Sequence, residues 1–175
     1  MTAAFPLARE SLTRFSAYHA CVTQTRSTDA ALAVLRAMVT IADATVGRNA
    51  EQLTLTQFRA LRVVVDRTPV TMGRVARELA MNPSSVTRAC DRLVALNLLE
   101  KAPNPLNRRE TLLAPTGPGR QLVDRVDRDR RRVLTGVLSR LDPTTRAAAI
   151  VAFERFAGAV EADESDSRSL LRRAN

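Results

Sequence analysis

Hydroxyl and guanidinium side chains follow one another between residues 84 and 92 in a pattern that suits contact with nucleic acid. The polar side chains in question are those of Ser84, Ser85, Thr87, Arg88 and Arg92. Serine and threonine hydroxyls bond base edges and phosphates, and an arginine can bond guanine through two N–H groups. Two more arginines, Arg108 and Arg109, come directly after the turn-forming residues Asn104 to Asn107. These seven residues are the candidate contacts with duplex DNA.

The first group requires a helix that turns its apolar side inward. Asn82-Pro83 gives the preferred order for a helix start, a capping side chain followed by proline at the first helical position. The helix is predicted over residues 83–96, and Asn97 suits the left-handed conformation that follows a helix end. Its predicted buried stripe consists of Val86, Ala89, Cys90 and Leu93, which leaves the hydroxyls and arginines on the other face. The alternative is that this face is a solvated polar surface with no ligand.

The neighbouring elements complete a recognisable order. Thr54 or Thr56 can cap a preceding helix that stops at Thr68-Pro69, and Thr71 can cap a short helix through Leu79. Two short strands are predicted at 98–102 and 111–114, with Arg108 and Arg109 near the tip of the hairpin between them. The predicted fold is mainly α with a small β-hairpin. Three short helices followed by a hairpin predict a winged helix-turn-helix DNA-binding domain.

Long amphipathic helices are predicted on both sides of this domain. One begins at the cap Asp29 and ends near Gly47, one runs from Thr116 to about residue 139, and Asp142-Pro143 begins the last, which ends near residue 160. The predicted organisation is a partly mobile N-terminal extension, an N-terminal helix, the winged region, the C-terminal helices and a charged tail, at 1–28, 29–50, 51–115, 116–161 and 162–175.

The charge balance favours a polyanionic partner. The 175 residues carry 27 Lys and Arg against 18 Asp and Glu, a net charge of +9, and residues 71–120 hold eight cations against four acids. Aromatic residues make up 3% with no Trp, so a base-stacking surface for single strands or RNA loops is not expected. Double-stranded DNA is therefore the predicted partner.

Other classes of function lack their usual residues. The sequence has no glycine-rich phosphate loop, no nucleophile elbow and a single histidine, so we do not expect an enzyme or a cofactor. Two cysteines and one histidine are too few for a zinc cluster. The start of the chain does not resemble a secretory signal, and uninterrupted apolar runs such as 30–35 are far shorter than the ~20 residues of a membrane span. A cytoplasmic protein without a membrane segment is expected.

In several motifs the sequence resembles the MarR family of bacterial transcriptional regulators, across most of residues 30–160. The matching segments are Leu55-Thr-Gln-Phe58 with Ala60-Leu61, Val75-Ala-Arg-Glu-Leu79, Ser84-Ser-Val-Thr-Arg88 with Asp91-Arg-Leu93, the wing segment 103–109, and Thr116 with Gly119. Two positions depart from the family: Asn107 replaces the usual Asp of an Asp-x-Arg motif, and Pro115 replaces the usual Leu. The resemblance implies that Arg109 enters the minor groove of DNA. Asn107 is expected to hold its guanidinium more weakly than a carboxylate would.

The resemblance also implies how the protein assembles and responds. In the family the first and last helices form the dimer, and exposed apolar stripes at 29–47 and 142–160 would suit that role. A homodimer presents two recognition helices about one DNA turn apart, so an inverted-repeat operator is expected. The predicted function is a repressor released by a small aromatic or phenolic ligand.

Two alternatives stay open at this point. One is a redox-responsive repressor that senses oxidants through Cys21, which lies beside Tyr18 and His19, whereas Cys90 is expected to be an inert core thiol. The simpler interpretation is that Cys21 is a semi-buried cysteine in a frayed helix and does not sense oxidants. The other alternative is a winged-helix module for protein interaction that does not bind specific DNA sequences.

Overall fold

The computed structural model describes the backbone of residues 7–173 and the side chains of residues 27–160 and 162. In this part of the chain, helices and strands follow in the order α1 Leu7–Asn49, α2 Leu55–Arg67, β1 Val70–Thr71, α3 Met72–Glu78, α4 Pro83–Ala95, β2 Leu99–Pro103, β3 Thr111–Pro115, α5 Gly117–Leu138 and α6 Pro143–Arg173. The mainly α fold with a small sheet is confirmed.

Side-chain caps fix where the central helices begin. The Thr54 hydroxyl accepts the backbone N–H of Gln57 at 3.2 Å while the Gln57 side chain accepts the N–H of Thr54 at 2.9 Å, a complete capping box. Thr71 caps α3, and Asp142 accepts the first two amides of α6 at 3.0 Å. Of the two predicted caps for α2, Thr54 is therefore the correct one.

Both terminal helices are longer than predicted. The N-terminal helix was expected to begin at Asp29, but α1 is continuous from Leu7, and Asp29 lies inside it. No proline or glycine occurs between Leu7 and Gly47, so a cap-type residue alone does not interrupt the helix. The last helix was expected to end near residue 160, but α6 continues through most of the predicted tail to Arg173. Of the extension predicted to be partly mobile, residues 1–6 lie outside the described residues.

The sheet has three strands rather than the two of the predicted hairpin. The hairpin itself is confirmed, with Leu99 opposite Pro115 and Pro103 opposite Thr111. The additional strand β1 pairs with β3 through Val70 and Leu113, so β3 is the central strand. A strand of two residues is too short to produce a periodic hydrophobic pattern, which is why the sequence did not reveal it.

The chain divides into two compact units, one ending at Asp127 and one beginning at Arg128. The first unit contains a core contributed by α2, α3, α4, the sheet, the end of α1 and the first turns of α5. Its largest fully buried side chains include Phe58, Leu61, Leu93 and Leu113. The winged region was predicted to end at residue 115, whereas this unit also takes in the first turns of α5.

Each unit leaves an apolar helix face exposed. On α1 this face comprises Leu32, Val34, Leu35, Met38 and Val39; on α6 it comprises Ile150, Val151, Phe153, Phe156 and Val160. Residues 27–49 of α1 are also long and apolar enough to cross a bilayer by length and composition alone, although the expectation from uninterrupted runs was that no such segment exists.

Candidate nucleic-acid interface

Helix α4 is held by its inner face and presents its polar face outward. Val86, Ala89, Cys90 and Leu93 are buried, as the periodicity predicts. At the start of the helix the Asn82 side chain accepts the backbone N–H of Ser84 at 3.0 Å, with Pro83 in the first turn. The predicted contacts Ser84, Thr87, Arg88 and Arg92 are exposed, and Ser85 is half-buried. The core therefore determines which way these side chains point.

Two hydroxyl groups on this face already donate hydrogen bonds to neighbouring residues of α4 or its cap. The Ser84 hydroxyl donates to Asn82 Oδ1 at 2.8 Å, and the Thr87 hydroxyl donates to the carbonyl of Pro83 at 2.9 Å. Their oxygens keep a lone pair that can accept an amino hydrogen from cytosine or adenine in the major groove. The Ser84 amide at this helix start is occupied too, so a phosphate bound at the helix N-terminus would have to displace the Asn82 side chain.

Four arginines on α4 and the wing have exposed guanidinium groups. The guanidinium groups of Arg88, Arg92, Arg108 and Arg109 form no ion pair or hydrogen bond with any residue that the structure describes, and all four residues are exposed. An arginine that makes no internal contact keeps all five N–H donors for an external anion or base. The seven candidate contacts thus include four free cations.

The acidic groups of the same segment are, by contrast, largely engaged. Glu78 lies 3.1 Å from Arg74 and 3.5 Å from Arg67, so it joins α3 to α2. Glu110 accepts a hydrogen bond from the Asn104 amide at 2.9 Å. The Arg74 and Arg67 guanidinium groups balance the charge of Glu78, whereas Glu110 keeps its negative charge because the Asn104 amide is neutral. The result is a cationic outer surface on a segment whose net charge is only +4.

An ion pair that the sequence did not predict ties α4 to the wing. Asp91, expected on the polar face beside Arg88, bonds the ammonium group of Lys101 on β2. The two residues are ten positions apart and belong to different elements, so no helical spacing rule relates them. Because Asp91 balances its charge, Lys101, the sole lysine of the chain, adds little to the positive charge of the outer surface.

Hydrogen bonds within the wing tip fix the turn that carries Arg108 and Arg109. The Asn104 side chain accepts the backbone N–H of Leu106 at 3.0 Å, and the backbone N–H of Asn107 donates to the Asn104 carbonyl at 3.2 Å. Asn104 and Glu110 close the loop through a backbone bond of 3.0 Å in addition to their side-chain bond. Asparagine is favoured in such turns because its side chain imitates a backbone carbonyl.

A close approach fastens the end of α4 to the start of α5. Asn97 adopts φ 56°, and the Leu98 N–H bonds the Leu93 carbonyl at 2.9 Å, which closes the helix end. The Thr116 hydroxyl donates to the Asn97 carbonyl at 2.7 Å and accepts the N–H of Gly119 at 3.1 Å. A β-carbon at Gly119 would lie 2.1 Å from the Leu98 carbonyl oxygen, so glycine is required here.

Comparison with known proteins identifies the family. Residues 51–110 match the sequence profile of the MarR family, MarR_2. The crystal structure of RV1404 from Mycobacterium tuberculosis is 32% identical to this chain, with a TM-score of 0.69 over 75% of this chain and 90% of that one. The chain belongs to the MarR family. Its fold is therefore that of the MarR winged-helix transcriptional regulators, and the family is one of regulators rather than enzymes.

Two further proteins are similar to this chain. An HTH-type transcriptional regulator of M. tuberculosis is 28% identical over 94 residues, which is 54% of this chain and 66% of that protein. FabT from Streptococcus pneumoniae, whose structure was determined in complex with DNA, is 15% identical, with a TM-score of 0.67 over 79% of this chain and 97% of that one. The latter supports the fold alone.

Asn107, one of the two positions that depart from the MarR family pattern, acts differently from the expectation. Asn107 was expected to accept a hydrogen bond from the Arg109 guanidinium, as the family's carboxylate does. Its side-chain oxygen instead accepts the backbone N–H of Arg109 at 3.1 Å. Asn107 therefore shapes the turn, and the guanidinium of Arg109 makes no bond within the described part of the chain.

The two cysteines differ in what can be said of them. Cys90 is fully buried, and burial raises the pKa of its thiol to about 11, with Lys101 lowering it and Asp91 raising it by smaller amounts. A thiol with so high a pKa is protonated at neutral pH and unreactive, as expected for a core residue. The side chain of Cys21, the predicted redox residue, lies outside the described residues. Among the described residues no cluster of His, Cys, Asp and Glu could hold a metal ion.

Proposed function

We propose that this MarR-family chain is a homodimeric, sequence-specific repressor that binds an inverted-repeat operator in duplex DNA and is released by a small aromatic ligand. The observation that carries the proposal is the set of four exposed arginines, two on α4 and two at the wing tip, that bond no other side chain in the described part of the chain. Cations balance the nearby Glu78 and Asp91, and residues 71–120 as a whole keep a net charge of +4 that suits a polyanion.

The two pairs of arginines have different tasks. Arg88, on the N-terminal half of α4 beside Ser84, Ser85 and Thr87, contacts base edges in the major groove, where its guanidinium can bond guanine bidentately. Arg92 lies one turn further along and neutralises a phosphate at the groove edge. Arg108 and Arg109 at the wing tip contact the flanking backbone and minor groove. The base contacts select the sequence, whereas the wing contacts mainly add affinity.

The rival function, a winged-helix module for protein assembly, explains less. An assembly module needs a patch that complements one protein partner, whereas here exposed arginines outnumber the acids on two separate elements, α4 and the wing tip. Interface centres are depleted of charge and enriched in apolar and aromatic groups, and the α4 face has neither property. The arrangement fits a long anionic helix better than a protein surface.

The exposed apolar faces of α1 and α6 support the homodimer. Phe156 is 68% exposed and Leu35 is 59% exposed, values that are costly for large apolar side chains arranged in stripes. A second copy of the chain covers such faces symmetrically. Membrane insertion of residues 27–49 is disfavoured because Asp29, Arg36, Asp43 and Arg48 would enter the bilayer with them. We accordingly propose a cytoplasmic protein.

Selection of duplexes from a randomised library by the full chain tests the DNA-binding proposal. The expected product is an inverted repeat whose half-site centres lie about 10–10.5 base pairs, or a multiple, apart. Protection mapping of the selected duplex should show both half-sites covered by one dimer. Failure to enrich any sequence would contradict specific recognition, and enrichment of a single unrepeated half-site would contradict the dimer.

Light scattering at micromolar concentration tests the assembly separately. The wild-type chain should have twice the mass of one polypeptide. Phe156→Asp should lower that mass, because it places a charge in the proposed interface, whereas the control Arg155→Ser on the same turn should not. A monomeric wild type would overturn the homodimer while leaving binding to a half-site intact.

Control by a ligand rests on membership of the MarR family, whose members often respond to small aromatic compounds. A panel of phenolic acids added to the complex with the selected duplex should include one that lowers operator affinity without unfolding the protein. Millimolar peroxide provides the comparison for the redox alternative, with Cys21→Ser as the matched variant. If peroxide releases wild type but not Cys21→Ser, and no phenolic compound acts, ligand control is replaced by redox control.

A further inference from the structure

Leu106 is the most exposed large apolar side chain of the described residues. It is 95% exposed, while the other exposed members of this class range from 37% to 68% and all lie on α1, α5 or α6. In the proposed homodimer, the second copy of the chain covers the apolar faces of α1 and α6. Leu106 belongs to no such face, since no other exposed large apolar side chain of the described residues lies in the wing. Its exposure therefore has to be explained at the wing tip itself.

The turn presents Leu106 in a fixed manner. Pro105 restricts the backbone immediately before it, and its own N–H is bound by the Asn104 side chain at 3.0 Å. Asn104 is in turn joined to Glu110 by a backbone bond of 3.0 Å and a side-chain bond of 2.9 Å. The tip is thus ordered before it meets a partner, so little conformational entropy is lost when Leu106 is buried by one.

The chemistry around Leu106 matches the minor groove of DNA. The guanidinium groups of Arg108 and Arg109 bond no residue that the structure describes, and the Glu110 carboxylate accepts a hydrogen bond from the Asn104 amide. A minor groove has phosphates along both rims, while the walls between them are formed by the apolar faces of deoxyribose rings. An apolar side chain carried next to two cations complements that arrangement, since minor-groove proteins combine basic residues with apolar ones.

We propose that Leu106 is a specificity-determining contact of the wing: it enters the minor groove beside Arg109 and packs against the deoxyribose walls at the flanks of the operator. This inference rests on the proposed function, in which the wing binds DNA. A narrow groove brings both walls within reach of one leucine side chain, and A·T-rich segments have narrow minor grooves. The wing accordingly favours operators with A·T-rich flanks, although no base edge is contacted by Leu106.

Two substitutions at one position separate apolar contact from turn geometry. Asn has the same number and branching of side-chain heavy atoms as Leu but is polar and smaller, and Met keeps the apolar character. Binding is measured at several salt concentrations, with the duplex selected by the wild-type chain as probe, in one version with A·T flanks and in another with G·C flanks. Hydroxyl-radical cleavage, which attacks deoxyribose hydrogens in the minor groove, reports directly on the sugars that Leu106 would cover.

Leu106→Asn should weaken binding to the A·T-flanked duplex about tenfold, the effect expected from partial burial of one leucine, and should reduce the preference over G·C flanks. It should remove protection of a few flanking sugars and leave the slope of log affinity against log salt unchanged, because no ionic contact is lost. Leu106→Met should stay within about twofold of wild type. Arg109→Ala should weaken binding and make the salt slope shallower by about one contact.

Three results overturn the inference in different ways. If Leu106→Asn binds and protects DNA as wild type does while Arg109→Ala is weaker, the wing binds DNA without Leu106. If Leu106→Asn changes the salt slope as Arg109→Ala does, Leu106 merely maintains the turn. If Arg109→Ala also has no effect, the wing does not contact DNA, and it is the proposed function of the wing that has failed.

Discussion

Helix α4 and the wing tip both present free arginines, but they are held in opposite ways. Four side chains of α4 are buried in the core, and the helix end is fastened to α5 through Leu98 and Gly119. In the wing tip, residues 105–110 are all exposed, and its shape comes from hydrogen bonds that Asn104 and Asn107 make within the turn. The core thus sets the geometry of the first surface, while local sequence sets that of the second.

This difference explains how binding properties could change without loss of the fold. Substitutions on the inner face of α4 alter stability together with recognition, because the contacts that pack α4 in the core also fix the direction of its polar face. Substitutions at the wing tip alter recognition alone, because few contacts with the core depend on them. The ion pair of Asp91 with Lys101 is the one described side-chain bond that joins the two elements directly.

The same leucine truncation should have unequal effects in the two regions. Leu93→Ala should lower the free energy of unfolding by about 3 kcal/mol, since Leu93 is fully buried and its loss leaves a cavity. Leu106→Ala should change it by less than about 0.5 kcal/mol, since Leu106 is exposed. Urea denaturation measures both. Equal losses in the two variants would show that the wing tip also packs on the core.

The junction behind α4 should be nearly as sensitive as its core face. Gly119→Ala should destabilise the protein by about 2 kcal/mol or more, because the new methyl group would meet the Leu98 carbonyl and force α5 away from the helix end. Gly136→Ala is the matched control within the same helix. No atom lies within 4 Å of its would-be methyl group, so this change should stabilise by about 0.5–1 kcal/mol. If both variants lose stability, the close approach is not the cause.

The buried thiol of α4 should make stability fall at high pH. The pKa of Cys90 is about 11 when folded and 9.0 for a free thiol, so the folded state holds its proton more tightly. Its stabilising contribution is complete below pH 9 and is lost as the pH rises to about 11, by on the order of 2 kcal/mol. Unfolding of wild type and Cys90→Ala at pH 8 to 11 measures the difference. Parallel curves for the two proteins would mean that the thiol contributes nothing.

Breaking the tie between the two surfaces should increase nonspecific DNA binding. Asp91→Asn removes one negative charge and frees Lys101, so affinity for a random duplex should rise several-fold and the salt slope should steepen by about 0.9. Glu100→Gln removes an equal charge from the neighbouring strand position without freeing a cation, and should leave the slope unchanged. Fluorescence anisotropy over a salt series distinguishes them. Identical slopes for the two variants would contradict a role for Lys101.

The turn that leads into α4 should offer a small gain in stability. Ala80 has φ 50°, a left-handed conformation that costs an L-residue about 1–2 kcal/mol. Ala80→Gly should therefore stabilise by about 0.5–1 kcal/mol after the added entropy of the unfolded glycine is subtracted. Ala95→Gly, at the right-handed end of α4, should destabilise instead. Thermal unfolding with a loss at both positions would argue against strain at Ala80.

Local patterns in the sequence predicted much of the winged domain. The cap Asn82 with Pro83, the buried stripe of α4 and the hairpin were all available from residue spacing, because each depends on neighbours a few positions apart. The left-handed Asn97 was predicted for the same reason. The seven candidate DNA contacts remain predictions, six of them exposed and Ser85 half-buried.

Features that join distant parts of the chain were not predicted. The pairing of Val70 with Leu113 and the ion pair of Asp91 with Lys101 arise only when separate elements meet in space. The same holds for the bond between Arg62 and Asp127. Arg62 also bonds Asp66 one turn further along α2, and this bond is the largest influence that raises the pKa of Arg62. The predicted helix start at Asp29 and the predicted helix end near residue 160 were wrong. A capping residue is compatible with a helix boundary but does not by itself interrupt a helix.

Helix α4 reads the bases of the operator, whereas the wing adds affinity and a preference for A·T-rich flanks. Binding of two arginine variants to two duplexes tests this division of tasks. Arg88→Ala should lose about 1–3 kcal/mol on the selected duplex, little on a random one, and its preference at one base position. Arg109→Ala should lose affinity for both duplexes with a shallower salt slope. Equal losses of affinity on both duplexes for Arg88→Ala would make Arg88 a phosphate contact and contradict base reading by Arg88 on α4.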